Sequence, residues 1–442
     1  MNSMTSQEIV DLSLQHTIFS WSATGSVSPI PAARAEGIYF WDTNGKRYID
    51  FNSQLMSVNI GHSHPKVVSR MKELCDQLLF IHPGATCEIR ARLGQYLAQL
   101  VPGDINTFFF ALGGAEANEN AIKATRLYTG KHKILTKYRS YHGATHAAMM
   151  MTGDPRRVPN EPGAPGFIHF MDPWPYTFEW GQTEEEITAR HLTYLEEVIQ
   201  YEGPQSIAAI FLETVTGTNG ILIPPKGWIQ GVRALTEKYN ILMVCDEVMC
   251  GFGRTGKLFG FEHYGIVPDI ITMAKGITSS YVPLGAMGVR DKIAEHFRKN
   301  VFYGGLTYNA HAFSLGVALA NLEVLIGEGM VENAARLGPV MTAHLNRLQA
   351  RHPSIRTHRN IGLFGIMELQ KNLRGERICD FNQASPIMNQ VNRFLLDNGL
   401  FTFIRWDGIM CNPPLCITDA ELQESFDILD RALEITDAAL QD

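Results

Sequence analysis

The stretch ILMVCDEVMCGFGRTGKLFGFEHYGIVPDIITMAK, residues 241–275, decides the fold. It begins and ends with short apolar runs, ILMVCDE (241–247) and DIITMAK (269–275), each shorter than a helix of ordinary length. Similar runs occur upstream at INTFFFAL (105–112) and IAAIFLE (207–213). We interpret all four as buried strands.

Amphipathic stretches lie between these runs. EANENAIKATRLYTG (116–130) carries apolar residues along one helical face, and Gly130 can end that helix; GWIQGVRALTEKYN (227–240) follows the same pattern. Strands alternating with helices predict an α/β fold with a mainly parallel sheet covered by helices on both faces. Ligands should then gather at the carboxyl ends of the strands.

The two ends of the chain follow another pattern. GIYFWDTNGKRYIDF (37–51) predicts a hairpin around the turn 42–45, and the chain beyond about residue 320 is helix-rich with a few strands. We therefore expect a large domain over residues 61–320. Residues 1–60 and 321–442 would together form a smaller α+β domain.

Composition excludes several classes of protein. The 442 residues carry 38 Lys and Arg against 45 Asp and Glu, so the net charge is -7 and nucleic acid is not an expected partner. The N-terminal residues lack a secretory signal pattern, and no apolar run approaches the roughly 18 residues that cross a bilayer. The seven cysteines form no C-x-x-C pair, which argues against disulfides and structural zinc. We expect a cytoplasmic protein without a membrane partner.

Glycines mark a candidate anion site in GGAEAN (113–118), between a predicted strand and a predicted helix. Glycine lets the backbone approach an anion closely, and the unpaired N–H groups of a helix start favour a phosphate. A plain strand-to-helix turn is the alternative. The G-x-G-x-x-G pattern at 251–256 is a poor dinucleotide site because no helix is predicted to follow it.

Two charged residues end the apolar runs of the deciding stretch. Asp246 follows a buried strand, so it should face a cation or a strong donor in a cleft; a helix cap is the alternative. Lys275 closes the next strand, where a desolvated amine becomes a nucleophile suited to a carbonyl; a surface lysine is the alternative.

The segment Tyr141-His142-Gly143 follows another predicted strand. The tyrosine ring could stack on a flat heterocycle, or it could simply be a core residue. His142 and His146 have the i, i+4 spacing of metal ligands, but no third ligand follows at suitable spacing, so we predict no metal site.

A phosphate site, a ring-stacking residue, a buried acid and a strand-end lysine are what pyridoxal phosphate requires. The strings ETVTGTNGILIPPKGW, CDEVMCGFGRTG, AKGITSSYVPLGA and GGLTYNAHAFS resemble the class III (ω-)aminotransferases of fold type I. The resemblance runs from about Trp21 to PPLCIT near residue 417, which is nearly the whole chain. It implies pyridoxal 5'-phosphate as cofactor and amines and 2-oxo acids as substrates.

The resemblance also implies roles for particular residues. Lys275 would be the Schiff-base lysine and Asp246 the partner of the pyridine nitrogen. Cofactor contacts are implied for Gly114, Ala115, Tyr141, His142, Glu213, Val248 and Thr307. Thr307 would reach the phosphate of a neighbouring subunit, which implies a homodimer with shared active sites; a tetramer of two dimers stays open. Arg405 would grip the substrate carboxylate. By residue type, Trp21, Gln54 and Trp406 could shape the amine pocket, and packing is the alternative for each.

Two positions depart from the family pattern. Ala115 stands where many relatives have a hydroxyl residue, so one phosphate hydrogen bond, worth about 0.5–3 kcal/mol, would be missing. Thr218 stands where the 4-aminobutyrate branch has a glutamate that pairs with the arginine, which argues against 4-aminobutyrate/2-oxoglutarate specificity.

The activity that follows is ping-pong transfer of an amino group from an ω-amino acid or amine, taurine- or β-alanine-like, to a 2-oxo acid such as pyruvate. The segments GGAEAN and YRSYHGATHAAMMMTGDPRR most resemble taurine– or ω-amino acid–pyruvate aminotransferases. An aminomutase or racemase using the same residues is one alternative. A non-catalytic protein that senses pyridoxal phosphate is another, disfavoured because about 20 residues before Trp21 leave no room for a DNA-binding module.

Overall fold

The computed structural model describes residues 4–441. Its strands are β1 (Ala32–Glu36), β2 (Tyr39–Asp42), β3 (Arg47–Asp50), β4 (Ile105–Ala111), β5 (Lys133–Lys137), β6 (Phe167–Phe170), β7 (Ile207–Glu213), β8 (Leu242–Asp246), β9 (Ile270–Met273), β10 (Gly285–Arg290), β11 (Ile355–Ile361), β12 (Phe364–Leu369), β13 (Leu400–Phe401), β14 (Ile404–Arg405) and β15 (Gly408–Cys411). Its α-helices are α1 (Ser6–His16), α2 (Ser53–Met56), α3 (Pro65–Cys75), α4 (Glu88–Leu100), α5 (Gly114–Thr129), α6 (His146–Met151), α7 (Glu184–Glu202), α8 (Trp228–Lys238), α9 (Asp291–Lys299), α10 (Ala312–Gly327), α11 (Met330–Arg351), α12 (Pro386–Asp397) and α13 (Asp419–Asp437).

A seven-stranded sheet forms the centre of the large α/β unit. Its strand order is β4-β10-β9-β8-β7-β5-β6, and only β10 runs antiparallel to its neighbours. Every residue of β7 and β8 is buried, as expected for strands covered on both faces. The predicted mainly parallel α/β fold is confirmed.

Three of the four predicted strands end within one residue of their predicted limits. The exception to the prediction lies at the end of β9: the strand stops at Met273, and Lys275 begins a short 3₁₀ turn, Lys275–Ile277. Helix α5 starts at Gly114, two residues before the predicted stretch, and ends at Gly130 with φ +69°, a left-handed conformation that glycine adopts without strain.

Two four-stranded sheets are built from the ends of the chain, in the orders β1-β2-β3-β13 and β11-β12-β15-β14. The predicted hairpin forms between β2 and β3, where Tyr39 pairs with Ile49. Strand β13 then adds to β3 in parallel, pairing Leu400 with Ile49. Residues from both ends of the chain thus share one sheet. The domain limits at 60 and 320 remain a proposal, and α10 runs across the second of them.

The helices of residues 4–441 were compared with the length of a membrane span. None of them alone combines enough length with enough apolar character to cross a bilayer. The pair α10 and α11, bent by 53°, meets that requirement of length and composition only when the two are counted together.

A buried acid on β12 ties the C-terminal sheet to the large unit. Glu368, 5% exposed, pairs with the guanidinium groups of Arg356 and Arg359, and Arg377 lies 3.8 Å away. Arg359 also donates to the backbone carbonyl of Ile221 (2.8 Å) in the loop after β7. Burial alone would raise the pKa of Glu368, but the three arginines, led by Arg359, lower it to about 2.

This ion cluster predicts a pH-dependent contribution to stability. Because the pKa of Glu368 is lower in the folded chain than the value of about 4.5 expected when unfolded, the folded state binds fewer protons. The stabilisation is therefore complete above about pH 4.5 and declines as the pH falls toward 2. We expect Glu368→Gln to lower the free energy of unfolding by about 3 kcal/mol at pH 7. Urea unfolding between pH 7 and pH 3 should show the gap to wild type narrowing below pH 4.5.

Glu424→Gln is the matched control for this prediction. Glu424 pairs with Arg47 on the surface, where the two side chains are 42% and 46% exposed. Exposed pairs contribute at most about 1 kcal/mol, so this variant should remain close to wild type at every pH. A gap between wild type and Glu368→Gln that stays constant from pH 7 to pH 3 would contradict the assignment.

Candidate active site

A cavity of about 370 Å³ lies at the carboxyl ends of the parallel strands, where the sequence placed the chemistry. Residues that follow β4, β5, β7, β8 and β9 line it together. Among the predicted site residues, it is lined by Gly114, Ala115, Tyr141, His142, Glu213, Asp246, Val248 and Lys275.

One end of this cavity is formed by the start of α5. The first backbone hydrogen bond of the helix runs from the Ala117 N–H to the Gly113 carbonyl (2.9 Å), so the N–H groups before it have no acceptor within the helix. A Cβ atom at Gly114 would lie 2.9 Å from Val248 Cγ1, and only glycine leaves this space open. With the positive end of the helix dipole, the arrangement suits a phosphate.

Asp246 also lines this cavity and is held by two side-chain donors. Its Oδ2 atom accepts from Asn118 Nδ2 and contacts His142 Nδ1, both at 2.8 Å, and Oδ1 accepts the Val248 N–H (3.1 Å). His142 is fixed in turn by Thr136 Oγ1 at 3.2 Å, and Asn118 by the Thr272 hydroxyl at 2.8 Å. The carboxylate is 3% exposed and lines the cavity, so it can face a cationic ring nitrogen.

Lys275 enters the cavity from a constrained turn. Its φ of +47° lies in the left-handed region, which costs a non-glycine residue about 1–2 kcal/mol. Asn321 on α10 holds the turn by donating to the carbonyls of Gly276 (2.9 Å) and Ile277 (3.0 Å). Burial lowers the pKa of the lysine ammonium, and Asp246 and Glu213 only partly oppose that shift. A lysine with a lowered pKa is a better nucleophile and proton carrier.

The walls of the cavity are formed by Tyr141 and Val248. The backbone N–H of Tyr141 donates to Glu213 Oε1 (3.0 Å), and Oε2 of the same glutamate accepts the Gly217 N–H (2.8 Å). Burial raises the pKa of Glu213. A flat ring placed in this cavity would have an aromatic side chain and an aliphatic side chain within reach.

These features fit pyridoxal phosphate. The cavity offers N–H groups for the phosphate, a buried carboxylate for the ring nitrogen and an amine with a lowered pKa for the aldehyde. Ala115 supplies no hydroxyl, but its backbone lies in the same helix start.

A second cavity, of about 670 Å³, adjoins the first, and Tyr141 and Lys275 line both. Three of the four predicted substrate residues line it: Trp21, Arg405 and Trp406. The Trp21 ring meets Tyr141 edge-on, with 6.1 Å between centroids, and the Arg405 guanidinium lies 4.3 Å from the Trp406 ring. Substrate held here would reach the lysine.

The fourth predicted substrate residue, Gln54, is not brought to this cavity. Its side-chain amide donates to Asp50 Oδ2 (2.9 Å), and the residues after it, Leu55 and Met56, line the cavity instead. Thr307 is exposed and lines neither cavity of this single chain. The His142 ring contacts the Asp246 carboxylate. Within residues 4–441, no cluster of three side chains suited to a metal ion occurs.

Sequence reasoning missed three polar residues of the site. Asn118 lies on the buried face of α5, where a polar residue among alanines was the available signal. Asp154 caps a short 3₁₀ helix, Pro155–Asn160, which contains Arg156. The Arg156 guanidinium lies 3.8 Å from the Tyr141 ring centroid and lines the second cavity. Nothing in the string DPRR distinguishes Arg156 from its neighbour Arg157.

A buried strand-end acid, a buried lysine and a helix-start anion site on one mainly parallel sheet define a pyridoxal-phosphate enzyme of fold type I. The chain belongs to the class III aminotransferase family, whose model matches residues 21–433. It is an aminotransferase, which moves an amino group from an amine donor to a 2-oxo acid. The predicted family, enzyme class and cofactor are confirmed.

Similar proteins cover nearly the whole chain. A putrescine–pyruvate aminotransferase of Pseudomonas aeruginosa is 32% identical over 92% of this chain and 91% of its own. A taurine–pyruvate aminotransferase of Bilophila wadsworthia is 32% identical over 96% of both. Among solved structures, a taurine:2-oxoglutarate aminotransferase from Bifidobacterium kashiwanohense, in complex with PLP and glutamate, is 39% identical over 100% of both chains, with a TM-score of 0.96.

Proposed function

We propose that this aminotransferase takes the amino group of an ω-amino acid or amine, taurine- or β-alanine-like, and gives it to pyruvate. The observation that carries the proposal is the junction of the two cavities: Lys275 and Tyr141 line both, and arginine side chains line the outer one. An amine bound there would have its amino end at the lysine and its acidic end toward the arginines.

The charges of the outer cavity favour a substrate with a single acidic group. Arg156 and Arg405 are both in contact with the carboxylate of Asp154, which leaves one formal positive charge. One such charge suits the carboxylate of pyruvate or the sulfonate of taurine, taken up at different times. The names of the relatives include both pyruvate and 2-oxoglutarate as acceptors, and the charge count is our reason for choosing pyruvate.

Each candidate site residue has one task in this proposal. Pyridoxal phosphate, when bound, supplies an aldehyde carbon that receives the amino group and a ring that withdraws electrons from the substrate carbon. Lys275 holds that cofactor and, once released, moves a proton at Nζ from the substrate carbon to the cofactor. Asp246 keeps the ring nitrogen protonated, and the start of α5 holds the phosphate.

We further propose a homodimer in which Thr307 of each chain completes the other chain's phosphate site; its exposed position on the single chain suits such a role. Sedimentation equilibrium of the holoenzyme measures the assembly and separates dimer from tetramer.

We also propose a cytoplasmic location, because the seven cysteines are free thiols and suit a reducing compartment.

A donor and acceptor screen tests the proposed activity. Purified holoenzyme is mixed with taurine, β-alanine, putrescine or 1-phenylethylamine, each with pyruvate or 2-oxoglutarate, and the amino acid product is quantified. We expect alanine to form from taurine or β-alanine only when pyruvate is present. Rearranged or racemised donor in the absence of any 2-oxo acid would instead favour the aminomutase or racemase. No absorbance change with any amine would overturn the assignment.

Arg405 gives a prediction specific to the acceptor. Replacing it with Gln removes the charge that meets the carboxylate, so we expect kcat/KM for pyruvate to fall about 100-fold, since a charge-assisted pair contributes about 1.5–3 kcal/mol. The half-reaction with 1-phenylethylamine, which has no acidic group, should change less than fivefold. Stopped-flow absorbance measures the two half-reactions separately, and an equal loss in both would contradict the role.

A further inference from the structure

The short helix α2, two residues of which line the outer cavity, has an unusual backbone. Ser53, Gln54 and Met56 have φ values of +48°, +57° and +55°, in the left-handed region that disfavours residues with a Cβ atom. Gln54, with a ψ of -96°, lies near a γ-turn conformation that is rare and strained. Strain of this kind persists only where surrounding contacts impose it, and it is frequent at ligand-binding sites.

Asp50, the last residue of β3, holds Gln54 in this conformation. Its carboxylate accepts the Gln54 backbone N–H at Oδ1 (2.9 Å) and at Oδ2 (3.0 Å), and Oδ2 also accepts from the Gln54 side-chain amide (2.9 Å). The backbone carbonyl of Gln54 accepts from Asn52 Nδ2 (2.7 Å). Hydrogen bonds on both sides of one residue thus fix its left-handed backbone.

The Asp50 carboxylate is itself fixed in place. His62 Nε2 lies 2.8 Å from Oδ2, and the backbone N–H of Asn52 donates to Oδ1 (3.4 Å). The Asp50 side chain has no exposed surface, and no lysine or arginine among residues 4–441 forms an ion pair with it. The carboxylate is therefore committed to the backbone of α2 rather than to a lysine or an arginine.

The two residues after Gln54 form part of the wall of the outer cavity. Met56 is 2% exposed and packs among buried apolar side chains that include Phe364 and Met410, so packing fixes its position. Leu55 is 66% exposed and belongs to none of the buried apolar clusters of residues 4–441. The position of Leu55 therefore depends on the backbone that precedes it, which Asp50 holds.

We propose that Asp50 is a specificity-determining residue of this aminotransferase, a positioning residue that acts through α2 on Leu55. By holding Gln54 in its left-handed conformation, it keeps the apolar wall where it confines a short donor between Lys275 and the arginines of the outer cavity. The assignment deepens the proposed function and rests on it. It gives a reason for a strained segment without glycine at the edge of that cavity.

Asp50→Asn tests this role, because the amide keeps the size of the side chain but sets a new donor against the donors of Gln54 and His62. We expect kcat/KM for β-alanine to fall about tenfold, mainly through KM, since a change of one apolar contact in a pocket alters discrimination by about that factor. The half-reaction with 1-phenylethylamine, whose ring fills the cavity by itself, should change less than about threefold. Stopped-flow absorbance of the holoenzyme measures both half-reactions.

Glycine at position 54 should rescue this variant. Because glycine adopts a positive φ without strain, Gln54→Gly added to Asp50→Asn should restore kcat/KM for β-alanine to within about threefold of wild type.

Asp42→Asn is the matched control. Asp42 is buried in the same sheet and accepts the backbone N–H groups of Asn44 and Lys46, both at 2.9 Å, but it does not line the outer cavity. This variant should lower thermal stability and leave the ratio of the two kcat/KM values unchanged.

A selective loss for the short donor, recovered by glycine, is the signature of this role, since damage to the fold would weaken both half-reactions. Equal losses for the two donors in Asp50→Asn, or no recovery with Gln54→Gly, would overturn the proposal. If wild type takes no amino group from taurine or β-alanine, the proposed function itself fails.

Asn52→Ala decides the matter if Asp50→Asn does not fold. It frees the carbonyl of Gln54 without removing a buried charge. We expect it to lower the ratio of kcat/KM for β-alanine to that for 1-phenylethylamine about threefold, the scale of one neutral hydrogen bond. An unchanged ratio in this variant would also overturn the proposal.

Discussion

Lys275→Ala should lose about four orders of magnitude or more in turnover, the largest effect expected of any single substitution in this chain. The amine at 275 has two tasks, holding the cofactor and moving the proton, and a positioned general acid and base alone contributes 10²- to about 10⁴-fold. No second lysine lines either cavity described above. Hence no other lysine ammonium among residues 4–441 is placed to hold the cofactor or to move the proton.

The substitution should leave the fold intact. Alanine keeps the Cβ atom, so the left-handed backbone at this position is no more strained than before, and the bonds from Asn321 to the turn remain. Thermal unfolding of the variant should stay within a few degrees of wild type. Single-turnover absorbance changes with each substrate measure the loss of activity, and added methylamine should restore part of the proton transfer.

Chemical labelling provides an independent test of the same residue. Borohydride reduction of the wild-type holoenzyme followed by peptide mapping should place the label on Lys275. Lys238→Ala is the control, since that lysine is 60% exposed and paired with Glu196 on the surface. A label on any other lysine, or a Lys275→Ala variant within tenfold of wild-type turnover, would remove the basis of the proposed mechanism.

Asp246→Asn is expected to lower turnover by about 10³-fold. Removing one member of a buried ion pair costs about 3–5 kcal/mol, which corresponds to about two to four orders of magnitude in rate when the pair stabilises the transition state. Asn118 and His142 would still hold the side chain in place, so the loss would come from charge rather than from geometry. Stopped-flow measurement of both half-reactions should show similar losses, since both need the protonated ring.

The chain offers a closely matched control in the adjacent residue. Glu247 is fully buried, but its carboxylate accepts hydrogen bonds from Thr214 Oγ1 (2.6 Å) and the backbone N–H groups of Gly260 and Phe261, away from the cavity. Burial raises the pKa of Glu247 to about 7, so about half of this carboxyl group is already neutral at that pH. Glu247→Gln should keep turnover within about fivefold of wild type. Equal losses in the two variants would mean that Asp246 acts only through the fold.

The sequence predicted the parts of the molecule that depend on local patterns. Strands such as β7 and β8 were recognisable because a buried strand is apolar along its whole length. The antiparallel β10 was missed, since GAMGVR contains two glycines and few branched residues. The turn that carries Lys275 was missed because its bonds come from Asn321, which is distant in the sequence.

Parts of the candidate site depend on contacts that no local pattern encodes. Arg405 donates a hydrogen bond to Asp154, which is 251 residues earlier in the sequence. Asn118 donates one to Asp246, which is 128 residues later. Gln54 is a candidate pocket residue by its amide side chain alone, but in the fold that amide donates to Asp50, four residues earlier. Side-chain partnerships of this kind require the folded chain.

The parallel pairing of β13 with β3 has a consequence for engineering. Strand β13 has only two residues and depends on β3 for its hydrogen bonds, and the chain reaches Arg405 four residues after it leaves that strand. Trp21, which lines the same pocket, belongs to the segment that leads into the sheet containing β3. A chimaera meant to transplant donor preference should therefore exchange residues 20–56 and 400–411 together, as one cassette, because either segment moved alone would arrive without the partner that shapes it.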